Sequence, residues 1–469
     1  MAESEPGAEP PPRHLGAGAA LSIVADLGPL VSVGVLSIVL ARTIGPAGNG
    51  TYALLATLVT LVVLVCSLGL AAGITYQVSR RAWPLSRALP ETYGVALLLG
   101  LIGAGLGAGF YALTDEGAMR SVDATLVTIA LAAIPAFVAV QFATAMLLGR
   151  DRYEAYAGLQ LTTSAVVLVA AAGLAIPFGL TGAVAGLAAS AVIGAVAGAI
   201  LVRRQTRRGF DTRQTRVDHR AGRPLRVALR FGALAWAASL LQQVNYRFDV
   251  LILGAYASAA DVGVYSVALT LTSIAWILPH GLQTVVFPRT ASVDAAVEAG
   301  EMSVEESDAG AARASRHSVI LVIPAGLIVG VLLALVPLVY GRSFDRSVAL
   351  GLVLLPGVLA LGTGKVLSSV VAGRGKPRYN LYNSLLVAAI TLGLYFTLIP
   401  AFGVWGAAIA SSLSYLATAV IAVGFFHRVV GVPLAHALIP TRADLRNYLE
   451  GLNAFRASFR SRLVRRRAA

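Results

Sequence analysis

The chain has 469 residues, of which 57% are apolar and only 13% charged, with a mean hydropathy of +0.77. Soluble globular domains carry roughly 25% charged residues, so this composition excludes a soluble protein and describes a polytopic membrane protein. The formal charge of +14 therefore has to sit outside the apolar segments. With one cysteine, Cys66, no intrachain disulfide can form.

Residues 1–16, MAESEPGAEPPPRHLG, are acidic and Pro-rich and lack a basic leader region, which predicts a short disordered tail before a retained first span. Apolar runs long enough for a hydrocarbon core of about 30 Å then fall near 17–41, 51–78, 92–113, 122–148, 157–177 and 180–202. A basic linker at 203–226 follows. Six more runs lie near 227–253, 261–288, 317–340, 347–372, 379–400 and 403–427, ahead of a basic tail at 429–469. Backbone polar groups in lipid must be satisfied within helices or a closed barrel, and runs this long without alternation exclude the barrel. The expected fold is all-α, with twelve transmembrane helices.

The two halves repeat. GPAGNGTYALLATL (45–58) matches SAADVGVYSVALTL (258–271), Gly149-Arg150 matches Gly373-Arg374, and IPFGLTGAVAGLAAS (176–190) matches IPAFGVWGAAIASS (399–412). Ordered matches of this kind indicate duplication. An even number of spans per half makes the repeats parallel, two six-helix bundles (17–202 and 227–428) around a central cleft. Both termini and the linker fall on one face with 31 of the basic residues, whereas the opposite loops hold Arg42, Arg120, Arg342 and Arg346. By the positive-inside rule the basic face is cytoplasmic, which predicts a multi-pass protein of the plasma membrane with both termini inside. The basic tail suits anionic lipid headgroups rather than nucleic acid.

Ionisable residues within spans are costly and are functional candidates for that reason. Asp26 lies about 14 Å into span 1 at 1.5 Å per residue, just before Gly28-Pro29; a carboxylate beside a kink could bind a proton or Na⁺ and couple it to bending. In LLQQVNYRFDVL of span 7, Gln242, Asn245 and Asp249 share one helix face, with Gln243 and Arg247 on the next. Arg247 is a candidate grip for a diphosphate. Lys365 and His280 lie about 12 Å from the cytoplasmic ends of their spans, and Lys365 corresponds through the repeat to Gln141. The candidate substrate-binding set is thus Arg247, Lys365, Gln141, Gln243, Asp249 and His280, with Asp26 as the candidate ion-coupling residue. No metal-ligand spacing, catalytic triad or Walker motif stands out, so the sequence predicts neither an enzyme nor a bound cofactor beyond a coupling ion.

With LARTIGPAGNGTYALL (40–55), the stretch from FGALAWAASLLQQ through GVYSVAL (231–269), FPRTAS (287–292), LVYGRSFDRSVALGLVLLPG (338–357), AGRGKPRYN and IPAFGVWGAAIASSLS in this order, the chain resembles the polysaccharide (O-antigen-type) flippases of the multidrug/oligosaccharidyl-lipid/polysaccharide exporter superfamily. The resemblance covers about 17–430 and implies a secondary carrier that moves a polyprenyl-linked oligosaccharide, on undecaprenol or dolichol, from the cytoplasmic to the outer leaflet. It also likens Asp26 to the cation site of related drug exporters. Twelve spans fit polysaccharide exporters better than a fourteen-span lipid II flippase. Glycosyltransferases and a polymerase of the same pathway are expected partners, and the chain is expected to act as a monomer. A proton- or Na⁺-coupled drug exporter of this fold, or a non-transporting scaffold for glycosyltransferases, are the alternatives.

Overall fold

A computed structural model describes residues 14–114, 117, 119, 122–206, 224–444 and 446, with the backbone alone at 14–27, 234, 235, 244, 284 and 288. Among the described residues there is no strand. The helices are α1 (His14–Ser67), α2 (Leu70–Ser79), α3 (Leu85–Thr114), α4 (Ala124–Ala132), α5 (Ile134–Gly149), α6 (Tyr153–Gln205), α7 (Pro224–Tyr256), α8 (Ala259–Ser273), α9 (Ile277–Glu298), α10 (Val304–Ala334), α11 (Val336–Val339), α12 (Arg346–Gly373), α13 (Arg378–Val430) and α14 (Leu434–Leu438).

Eight helical stretches among the described residues are long and apolar enough to cross a bilayer, and the start of α7, bent by 43° between Ala233 and Trp236, adds a ninth. Two of the eight run for 53 residues. At 1.5 Å per residue each would extend about 80 Å, well over twice a hydrocarbon core. The chain resolves this at glycines. Gly179 in α6 has φ 57°, ψ −137° and Gly403 in α13 has φ 56°, ψ −129°, a region open chiefly to glycine. Each follows its Pro, Pro177 or Pro400, by two or three residues. Beyond each turn the chain doubles back: a Cβ on Gly182 would lie 1.9 Å from the Leu174 carbonyl oxygen, and one on Gly406 would lie 1.9 Å from that of Leu398. Gly45 (φ 69°) interrupts α1 in a related way. All three of these apolar stretches are thus broken at a glycine, and the spanning candidates among the described residues number eight or nine against the twelve expected from the sequence.

By compactness the chain divides into one unit of residues 1–243 with 250–266 and another of 244–249 with 267–469. The division passes through α7, whose two ends pack in the first unit. There, Gly69 and Gly232 abut: a Cβ on Gly232 would lie 2.0 Å from the Gly69 oxygen. Tyr76 stacks on Phe231 at 4.1 Å, and Trp236 Nε1 donates to the Leu64 carbonyl at 2.8 Å. At the other end of α7 the duplication meets itself. A Cβ on Gly50 would lie 1.8 Å from the Ala259 oxygen, and one on Gly263 would lie 1.9 Å from the Pro46 oxygen. Gly50 and Gly263 are repeat mates, and so are Pro46 and Ala259. The contact is therefore isologous, the signature of a local two-fold axis. The same unit packs Leu36 and Leu40 of α1 against Ala171, Ala175 and Ala183 of α6, the close small-residue packing that replaces a hydrophobic drive in lipid.

In the second unit α12 packs on α13, α9 and α10. Part of the basic tail that begins at 429 is docked on α10. Arg316 of α10 donates from Nε to Asp444 Oδ2 at 2.6 Å and from Nη1 to the His436 carbonyl at 2.7 Å. Asp444 also accepts from the Thr441 amide at 3.0 Å, and its own amide donates to Thr441 Oγ1 at 3.2 Å, a reciprocal helix-start cap. The remainder of the tail, 447–469, lies outside the described residues, as does 207–223 of the linker. The Arg316 guanidinium, then Thr441, holds the Asp444 carboxyl well below the usual carboxylate range. A depressed acid stabilises the fold above its unfolded pKa, about 3.9, and loses that contribution as pH falls through the folded value. Proteolysis after Val430 is accordingly expected to be slow at pH 7, to accelerate in strong acid, and to be fast already at pH 7 in Asp444→Asn.

Candidate functional site

The polar interior of the second unit is assembled from α7, the turn before α9, α12 and α13. Asn245 and Asp249 of α7 are buried, at 5% and 0% exposure, whereas Gln242 and Arg247 are exposed. The shared face predicted for Asn245 and Asp249 is thus the one that packs on α13. Asn245 Nδ2 donates to Thr418 Oγ1 at 3.2 Å, and its Oδ1 accepts from Thr391 Oγ1 at 3.2 Å and Ser414 Oγ at 2.5 Å. Tyr395 donates its hydroxyl to the Asn245 carbonyl at 3.1 Å, and Ser411 Oγ donates to Asp249 Oδ2 at 3.0 Å. A buried polar group without a partner is expensive, and this network gives the α7 amide and carboxylate their partners from one helix hairpin. Tyr395→Phe is expected to cost about 0.5–1.5 kcal/mol, seen as a small drop in thermal midpoint with transport retained.

One turn away lies the lysine. Lys365 of α12 extends its Nζ over two rings, 4.3 Å from the centroid of Trp276 and 4.9 Å from that of Tyr246. Tyr415 completes the group, edge-on to both at 5.9 and 6.0 Å. Trp276 is fixed by its Nε1 bond to the Val358 carbonyl at 3.1 Å. Aromatic faces attract a cation by about 2 kcal/mol or more when water is excluded. They attract the ammonium without neutralising its charge.

Of the other residues singled out in the sequence, Arg247 is exposed on the α7 face away from Asn245, and His280 is exposed on α9. Gln243 and Gln141 are half-buried in the first unit, and the buried Oε1 of Gln141 has no hydrogen-bond partner among the described residues. Asp26 lies within α1, three residues before Pro29, with its side chain outside the described set. The structure thus brings Lys365 beside Tyr246 and gives Asp249 a separate, hydrogen-bonded place. Sequence reasoning missed Tyr246, Trp276 and Tyr415. The signal available was the stripe of Ser411, Ser414, Tyr415 and Thr418 at helical spacing, which marks a polar face in an otherwise apolar span.

The fold has known counterparts. A multidrug resistance MATE family transporter of the MOP superfamily, in an inward-facing conformation, is 17% identical with a TM-score of 0.63 over 87% of this chain and 98% of its own. The lipid II flippase MurJ, in an inward closed conformation, is 12% identical with a TM-score of 0.66 over 89% of this chain and 88% of its own. The Vibrio cholerae MATE transporter VcmN is 17% identical with a TM-score of 0.56 over 90% and 98%. No curated protein sequence matches the chain significantly. These likenesses show that the chain shares the fold of those structures. The family profile described as "Polysaccharide biosynthesis protein" matches residues 19–293, more than half of the sequence, and the chain belongs to that family.

Proposed function

We propose that the protein is a flippase that carries a polyprenyl-linked oligosaccharide from the cytoplasmic to the outer leaflet by alternating access, driven by a proton or Na⁺. The observation that carries this reading is Lys365, a cation in a helix long and apolar enough to cross a membrane, with its Nζ over the rings of Trp276 and Tyr246. A charge in that position is costly, and its natural use is to receive an anionic group such as the phosphates of a lipid-linked sugar. Arg247, exposed two residues before Asp249, is a second candidate for the same anion. Asp26 is the candidate coupling site; Asp249, buried against the Ser411 hydroxyl, is a further place where a proton or cation can be exchanged within the membrane.

The family supports a role in polysaccharide biosynthesis, and the name of one structural neighbour, a lipid II flippase, favours a lipid-linked cargo. The MATE neighbours favour a second reading, efflux of drugs. Lys365 opposes cationic drugs by simple repulsion. The two readings separate in one experiment: a depletion strain should accumulate a lipid-linked oligosaccharide, identified by mass spectrometry, with unchanged sensitivity to cationic drugs. Drug hypersensitivity that depends on Asp26, with no lipid-linked intermediate, would favour the exporter. Intact export by a double Arg247→Ala, Lys365→Ala variant at equal protein level would sink the anion-binding assignment.

A further inference from the structure

Both halves of the α13 hairpin carry an exposed stripe that ends in an arginine. Ahead of the turn at Gly403, Tyr382, Leu385, Leu386 and Ile390 are exposed, and Arg378 lies one turn nearer the basic end on the same helix face. Beyond the turn, Leu413, Val420, Gly424 and Arg428 are exposed at positions i, i+7, i+11 and i+15, again one face. A Cβ on Gly424 would meet nothing within 4 Å, so the space beside this second stripe is open. The hairpin is long and apolar enough to cross a membrane. Its exposed apolar stripes therefore face acyl chains, and the arginines at their ends stand at headgroup level.

An aromatic cluster joins the two stripes at that level. The Tyr379 ring lies 5.1 Å from that of Phe425 and 6.2 Å, edge-on, from that of Tyr382. The Arg378 guanidinium carbon sits 5.4 Å from the centroid of the Tyr379 ring. Phe425 is one turn before Arg428, so the two share a face. Two guanidinium groups thus rim one aromatic platform, and Lys376, exposed in the turn before α13, adds a third cation.

The other copy of the hairpin, α6, shows what packing alone requires. Its mates for Arg378 and Arg428 are Arg152 and Arg204, so the basic ends recur. The mate of Phe425 is Leu201, and the mate of Tyr382 is Tyr156, which is 8% exposed where Tyr382 is 47% exposed. The hairpin therefore folds without a phenylalanine there and without a tyrosine turned outward. Those two features belong to one half only, and both lie where a lipid would meet the protein.

We propose that the basic end of α13 binds an anionic phospholipid, with its phosphate on Arg378 and Arg428 and an acyl chain along the exposed stripe above Tyr382. Guanidinium forks match phosphate oxygens, and aromatic rings suit the level between headgroup and acyl chain. The inference is independent of the cargo assignment, because it uses neither Lys365 nor transport. Its test is the thermal midpoint of the purified full chain in neutral detergent, titrated with phosphatidylglycerol, phosphatidylcholine or inorganic phosphate. Phosphatidylglycerol should raise the wild-type midpoint by several degrees, and the other two should not. Arg378→Gln with Arg428→Gln should require at least about tenfold more phosphatidylglycerol for the same rise. Arg378→Lys with Arg428→Lys should keep most of the response, and Arg204→Gln, at the mate of Arg428, should leave it intact. Tyr382→Ala should weaken it, and Tyr382→Phe should restore it. An unchanged titration in the double glutamine variant, or an equal loss in Arg204→Gln, would overturn the proposal. So would equal stabilisation by phosphatidylcholine or by inorganic phosphate.

Discussion

Lys365→Met is expected to bring glycan export close to background while the protein remains folded and at normal abundance. A charge-assisted hydrogen bond contributes about 1.5–3 kcal/mol, so losing the ammonium should weaken engagement of a phosphate-bearing substrate roughly ten- to hundredfold. Lys365→Arg, which keeps a cation over Trp276 and Tyr246 at 4.3 and 4.9 Å in the parent, should retain part of the activity. Methionine separates this role from packing: it fills similar space without a charge, and replacing a buried charge by an apolar side chain is often neutral or stabilising. If Lys365 only packs, Lys365→Met will export glycan normally with an unchanged or higher thermal midpoint. Export from whole cells, normalised to protein in the membrane, distinguishes the two outcomes.

Gly263→Ala should be among the most damaging single-methyl changes in the first unit. Its Cβ would sit 1.9 Å from the Pro46 carbonyl oxygen and 2.9 Å from the Gly50 nitrogen. Both are backbone atoms, so no side chain can rotate away and the helix ends must separate. Separation would also stretch the bonds from Asn49 Nδ2 to the Gly263 carbonyl and to Ser266 Oγ, at 3.3 and 3.2 Å. Overpacking costs about 1–3 kcal/mol and sometimes more, and the expected result is a clear fall in thermal midpoint together with lost transport. Gly50→Ala, at the two-fold related place, should behave alike. Gly330→Ala in α10 is the control, since a Cβ there meets nothing within 4 Å; it should be neutral or stabilise by about 0.5–1 kcal/mol. A midpoint for Gly263→Ala equal to that of Gly330→Ala would refute the contact.

The membrane explains how much of this was legible in the sequence. Lipid requires every span to be apolar and helical, so the all-α class and the spacing of the crossings are written directly in the runs of hydropathy. The duplication was equally legible, and it gave the equivalence of Gly179 with Gly403 that the near-identical turns bear out. Polar residues in spans stood out by rarity, which is how Lys365, Asp249, Arg247 and Asp26 were singled out.

Their surroundings were not legible. A span that is apolar on all sides carries little periodicity to say which face meets which neighbour, so the rotation of each helix is set by small-residue contacts such as Gly357 of α12, whose Cβ would meet the Ser412 oxygen at 2.4 Å. Those contacts decide that Tyr246, Trp276 and Tyr415, from three separate segments, gather around Lys365, and that Asn245 and Asp249 turn to α13 while Arg247 turns away. Likewise, the sequence by itself aligned Gly149-Arg150 with Gly373-Arg374, but only the tertiary structure placed Asp308 within 2.7 Å of Arg374. The sequence determined the spans, their repeat and their basic face, because water and lipid sort residues by polarity alone. Helix rotation and close packing decided which polar groups meet, because these depend on contacts between residues far apart in the chain.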